Sequence, residues 1–170
     1  MRKFALEWTV HANITFEFRD DPSAEIRIRF EPTKGSWSYI GTDCLQIPYD
    51  SATMNLSSVD KGTVLHLFGL ALGLMPENPN PPGGGLPWNE EIVFRDLSVC
   101  PDYSSTDAAE RFLTTALCLD HCNGVNFDPD SVMLMPIPDG WIEGRQGRSA
   151  NAELSDMDKV LIGGLYPRNR

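Results

Sequence analysis

Along the first 60 residues, apolar and polar positions fall into short runs of different period. Over residues 1–13, Phe4, Trp8 and His11, with Ala5 and Ala12, recur at spacings of three and four, which predicts a helix. Residues 14–20 (Ile-Thr-Phe-Glu-Phe-Arg-Asp) alternate instead, and so do residues 25–31. In the second run Ile26, Ile28 and Phe30 share one face and Glu25, Arg27, Arg29 and Glu31 the other. Both runs predict strands, with the charged face of the second solvated or at an edge. Asp20-Asp21-Pro22-Ser23 is the turn between them. Residues 35–40 lead through a glycine into Cys44–Ile47, and residues 52–57 form another short extended run.

The period then lengthens. From about residue 60 to residue 73 the chain reads as a helix, with Asp60 as N-cap and Gly73 supplying the left-handed residue that ends it. Residues 76–88 hold too many prolines and glycines for a regular element. A third helix is predicted over residues 107–119, where Asp107 and Glu110 have capping-box spacing. Residues 126–138 are irregular. A last helix starts at Ser155, with Asp158 in the cap, and runs to about Leu165. Two helices must cover the sheet on one side. The expected class is α+β: one domain over residues 1–170, with an upper lobe of about residues 1–75 and a lower lobe of about residues 76–170.

The chain has 170 residues, enough for one domain with a proper core. No stretch approaches the ~20 apolar residues needed to span a bilayer, so no membrane partner is expected. The net charge of −10 argues against nucleic acid, whose binding rests on clustered Lys and Arg. Glu7 and His11 interrupt the apolar run a secretory signal would need after Met1-Arg2-Lys3, which points to the cytoplasm. Cys44, Cys100, Cys118 and Cys122 form no C-x-x-C pair. They are expected as reduced thiols, with one or two disulfides as the alternative.

The central helix carries the candidate chemistry. His66-Leu67-Phe68-Gly69-Leu70-Ala71-Leu72-Gly73-Leu74-Met75-Pro76 lines up with the zinc-binding helix H-E-x-x-H-x-x-G-x-x-H. The first histidine and the glycine are present. Leu67 stands at the glutamate, and Leu70 and Pro76 at the other two histidines. Around this helix, Trp8 … Ala12-Asn13-Ile14-Thr15-Phe16-Glu17-Phe18, then Gly35-Ser36-Trp37-Ser38-Tyr39-Ile40, then Thr53-Met54-Asn55-Leu56 resemble the N-terminal lobe of the astacin-like metzincin peptidases, most closely their short bacterial and fungal forms. Leu86-Pro87-Trp88-Asn89 and Phe127-Asp128-Pro129-Asp130 follow at similar positions. Ser131-Val132-Met133-Leu134-Met135 resembles that family's Met-turn, and Leu154–Lys159 its closing helix.

The resemblance implies a metzincin-like fold: a mixed twisted sheet with two covering helices, then an irregular lower lobe with the Met-turn and a C-terminal helix. It implies that residues 52–57 are the edge strand lining the cleft. The family usually has a strand before the first helix, and almost nothing precedes that helix here. Either the sheet lacks this strand or another chain supplies it, which leaves a homodimer open. One imidazole is a poor zinc binder, so no metal and no other cofactor is expected.

Apolar groups at former ligand positions point to a greasy cleft, and two leucines buried there contribute on the order of 2 kcal/mol each. The expected function is binding of a small, largely apolar molecule, with or without a non-hydrolytic acid/base step such as cyclisation or isomerisation. The alternative is a pseudoprotease that binds peptides or partner proteins by strand addition along residues 52–57. The candidate acid/base groups are His66, Glu77 and Tyr39. Leu67, Leu70, Met54, Trp88, Met133, Met135, Trp141 and Arg145 are the candidate lining. Against these roles stand plainer ones: a core histidine, a solvated Glu77, packing aromatics and a surface Arg145.

Overall fold

A computed structural model describes residues 1–77, 87–98 and 128–168. The helix expected over residues 107–119, and with it Cys100, Cys118, His121 and Cys122, lies outside these residues.

The longest described helix, α2 (Lys61–Ala71), begins and ends on the expected signals. The Asp60 side chain accepts a hydrogen bond from Thr63 N at 2.9 Å. At the other end Gly73 adopts φ +91°, a left-handed value that favours glycine. Gly73 N donates to Leu70 O at 2.8 Å and Leu74 N to Gly69 O at 3.0 Å, the paired bonds of a Schellman stop. The N-terminal helix is shorter than its periodicity suggests. It divides into α1 (Arg2–Ala5) and a 3-10 turn over Trp8–Val10. Trp8 is fully buried and donates its indole N–H to Leu65 O at 3.1 Å, which pins this segment to α2.

The sheet is small: β1 (Ile28–Arg29), β2 (Trp37–Ser38) and β3 (Met54–Asn55), in the order β1-β3-β2. Strand β3 pairs parallel to β1 and antiparallel to β2. Residues 52–57 therefore hold the middle of the sheet and are not its edge. Asn55 is buried, and its side chain bonds both Glu31 N and Glu31 O at 3.0 Å. Residues 14–20 keep the alternating burial of a strand but pair with no neighbour among the described residues. Of the run Cys44–Ile47, read as extended, Cys44–Gln46 belong to a 3-10 helix over Gly41–Gln46 and only Ile47 is extended. Arg27, placed on a solvated face by its spacing, is instead half-buried. It donates to the carbonyls of Ala24, Ile47, Pro48 and Ser51, which holds the 47–51 loop against β1.

One helix was not expected, α3 (Glu90–Ser98). Asn89 Oδ1 accepts from Ile92 N at 3.1 Å at its start. The closing helix α4 (Asp156–Leu165) carries a full capping box between Ser155 and Asp158. The main core joins Trp8, Met54, Leu56, Val64, Leu65, Phe68, Met133 and Ile162. A second cluster gathers Val93 and Trp141 with Trp88, Ile92, Phe94 and Ile137. Among the described residues no helix is long and apolar enough to cross a membrane.

Candidate functional site

His66 sits in the middle of α2, half-buried, with its ring nitrogen Nδ1 2.9 Å from Val132 O. A carbonyl can only accept, so Nδ1 carries the proton and Nε2 keeps its lone pair. That leaves one nitrogen able to accept a proton, accept a hydrogen bond or bind a metal. Burial pushes the His66 pKa below the ordinary histidine value, against the Val132 bond and the Asp158 charge, which pull it up. The imidazole is therefore neutral at physiological pH.

The residue that fixes His66 is itself held tightly. Val132 lies in a turn where Leu134 N donates to Ser131 O at 3.2 Å and Met133 N to Ser131 Oγ at 3.0 Å. The buried Asp158 carboxylate accepts from Ser131 Oγ at 2.6 Å and from Val132 N at 2.9 Å. Asn151 Nδ2 donates to the carbonyls of Pro129 and Ser131. Helix α4 thus clamps the turn, and the turn orients His66. Asp158 is recognisable in the sequence only as a helix cap, because its reach to residues 131–132 is a tertiary contact.

Four of the other candidates are buried. Leu67, Leu70, Met54 and Met133 all belong to the main core, with Leu67 3% and Leu70 8% exposed. Met133 packs against α2 at Gly69, where any added Cβ would overlap its sulfur. Three cavities formed by described residues, of about 680, 310 and 220 Å³, lie elsewhere.

Glu77 is not the solvated loop residue its neighbours suggest. It is 4% exposed, bridges to Leu134, donates its N–H to Met133 O at 2.9 Å and accepts from Asp128 N at Oε1. Its carboxylate ties the segment after α2 to the turn below. Tyr39 is 39% exposed beside β2, with its ring edge-on to Trp37 at 5.9 Å. Met135, expected near the old ligand positions, is 40% exposed. Trp88 and Trp141 pack with α3, where Trp141 Nε1 donates to Asp96 at 3.0 Å. Arg145 is exposed. The structure therefore separates the candidates: Leu67, Leu70, Met54 and Met133 lie in the main core, Trp88 and Trp141 in the α3 cluster, Glu77 is buried against Asp128, and Tyr39, Met135 and Arg145 are at the surface. Cys44 is buried and free, and burial pushes its thiol pKa up, which suppresses the thiolate a nucleophile needs.

The lowered pKa of His66 has a consequence for stability. The folded state binds fewer protons than the unfolded one just below the ordinary histidine pKa of about 6.5. The stability tied to neutral His66 is present above that pH and is lost as pH falls through the depressed value. Denaturant unfolding at pH 7.5 and 5.5 should show a loss in the native protein that His66→Gln lacks.

No family model and no curated protein matches the chain. Solved structures do. The crystal structure of myroilysin is 32% identical with a TM-score of 0.79, covering 98% of this chain and 76% of that one. A second myroilysin structure is 31% identical at the same TM-score, covering 99% of this chain and 85% of that one. At this identity and coverage, the chain belongs to the myroilysin family and has its metallopeptidase-like, metzincin-like fold.

Proposed function

We propose that this protein is a metal-independent, non-proteolytic member of the fold, of astacin-like type, that binds a small and largely apolar molecule at the His66 face of α2. In this reading the Ser131–Leu134 turn is the Met-turn, with Met133 as its methionine, and α1 and α2 are the covering helices. The setting is cytoplasmic.

The fold implies zinc, and the donor set does not fit it. Among the described residues no group of three or more His, Cys, Asp or Glu is placed to hold a metal ion. Leu67 and Leu70 offer no lone pair, and Leu67 cannot act as the base that activates a water.

The observation that carries the reading is the fixed tautomer of His66. A neutral imidazole with Nδ1–H committed to Val132 O leaves Nε2 as an acceptor. One such group suffices to accept a proton or a hydrogen bond from a bound apolar molecule, the requirement of an isomerisation or cyclisation step. Glu77, already engaged by Asp128 N, contributes to holding this wall in place.

A second reading, peptide binding by strand addition, moves from β3 to β2. Strand β2 is an edge of the sheet, and Trp37 and Tyr39 stand exposed on it beside cavities of about 310 and 220 Å³. Fluorescence titration with anilinonaphthalene sulfonate, a small apolar probe, separates the two. The first reading expects saturable binding that weakens about tenfold or more in Leu70→Arg, because a charge enters an apolar site. Thermal melting checks that the variant stays folded. Unchanged binding in both Leu70→Arg and His66→Ala would sink the first reading. Loss in Trp37→Ala alone would favour the second.

A further inference from the structure

Ile28 packs on the main core and Met54 is part of it, so alternation turns Arg29 and Asn55 to the opposite face of the sheet. In the sheet register Arg29 stands opposite Asn55, and Asn55 opposite Trp37. The three residues form one row across β1, β3 and β2. Neighbouring strands lie about 4.8 Å apart, which puts the backbones at Arg29 and Trp37 roughly 10 Å from each other with Asn55 between them. A cavity of about 310 Å³ opens over this row. Lys34, from the turn joining β1 to β2, and Ser51, from the loop before β3, also line it.

The frame of this cavity is well held. Asn55 is 2% exposed, and its amide bonds Glu31 N and Glu31 O at 3.0 Å and also Gly35 O. That ties the turn carrying Lys34 to β3. Arg27 holds the Ser51 side through Ser51 O at 2.8 Å. Tyr39 meets the Trp37 indole edge-on at 5.9 Å and braces it. The cations are less well occupied. Arg29 reaches Glu31 Oε1 only at 3.5 Å and Asp50 O only at 3.4 Å, both longer than the roughly 2.7–3.2 Å of a good N–H···O bond. Lys34 makes no ion pair among the described residues. The lining therefore sets Arg29 and Lys34 against Glu31 alone, in a chain whose net charge is −10.

We propose that this cavity binds a small aromatic carboxylate, with its charge held by Arg29 and Lys34 and its ring laid against Trp37. A guanidinium fork matches the two oxygens of a carboxylate, and an indole offers a flat apolar surface to a ring. The volume is at the lower end of the roughly 300–1,000 Å³ of small-molecule sites, which suits a ligand of one ring. A cationic ligand would be repelled, and a purely apolar one would desolvate Arg29 without pairing it. Helix α2 packs on the Met54 face of the sheet, so this site is separate from His66 and does not rest on the reading above.

Proton–nitrogen NMR of the full 170-residue chain, titrated with benzoate, tests this. The indole N–H signal of Trp37 is identified by its loss in Trp37→Phe. The expected result is a saturable shift of that signal with a Kd of about 1 mM or tighter. Arg29→Gln should weaken binding about tenfold, through the lost charge-assisted bonds. Lys34→Gln, on an exposed turn where folding is not at stake, should weaken it about threefold. Benzyl alcohol, which has the ring without the charge, should bind about tenfold more weakly than benzoate. No saturable shift up to about 10 mM benzoate would overturn the proposal. So would equal affinity for benzyl alcohol, or unchanged affinity in both variants. A shift confined to the indoles of Trp8, Trp88 or Trp141 would put the ligand elsewhere and overturn it as well.

Discussion

Introducing Leu67→Glu, Leu70→His and Pro76→His together should give a protein that binds a single zinc ion. The geometry for this is already in place. Positions 66 and 70 lie one turn apart on one face of α2. The left-handed Gly73 ends the helix and turns the chain, and Glu77 anchors the next segment to Met133 O and Asp128 N. Position 76 is thus held beside the turn that orients His66. The Nδ1–H bond to Val132 O is the outer-shell contact that aims Nε2 at a metal.

The triple variant should be less stable than the native protein when zinc is absent. It exchanges two buried leucines for groups that need partners, at about 2 kcal/mol for each leucine's burial. Added zinc should then raise its melting temperature by mass action and leave the native protein unmoved. Metal analysis after purification without chelator reads the stoichiometry. Stoichiometric zinc in the native protein would refute the metal-independent reading, and an empty triple variant would show that the ligand frame itself has been lost.

The parts of this fold visible in the sequence are those governed by neighbours a few residues apart. Asp60 and Gly73 bound α2, and Ser155 and Asp158 start α4, because caps and stops are local chemistry. Helix α3 was equally accessible: Asn89-Glu90-Glu91 ahead of Ile92, Val93 and Phe94 is an N-cap with acidic first-turn residues. Its position just after the proline-rich stretch hid it. Sheet order is another matter. Residues 14–20 have the period of a strand, but pairing depends on a partner that periodicity does not name. The family resemblance put residues 52–57 at an edge, although their backbone bonds run to both sides.

The candidate site follows the same division. His66 stands out because a motif surrounds it. Leu67 and Leu70 are apolar substitutions in that motif, and apolar residues on a helix face mean a core as readily as a cleft. The structure shows that both are buried with Met54 and Met133, which periodicity alone does not say. Glu77 misleads for the converse reason: a carboxylate among prolines and asparagines reads as solvated until Asp128 N, 51 positions away, is found to need an acceptor.

Asp158→Ala should be the most damaging single substitution at this site. The carboxylate is 1% exposed and accepts three hydrogen bonds, from Ser131 Oγ at 2.6 Å and from Val132 N and Ser155 N at 2.9 Å. Alanine leaves all three donors unpaired, and each unsatisfied group costs about 1–3 kcal/mol. A total loss of about 4 kcal/mol would be a large share of a net stability of roughly 5–15 kcal/mol. Asp158→Asn keeps the shape and one acceptor and should lose about half as much. Urea unfolding measures both. The substitution also reaches His66. Without the Asp158 charge one of the two influences raising its pKa disappears, so the imidazole should titrate at still lower pH in Asp158→Asn, followed by NMR of the ring protons. A stability loss under about 1 kcal/mol with an unmoved His66 titration would mean that the turn holds its shape without α4, and that the orientation of His66 owes nothing to the clamp.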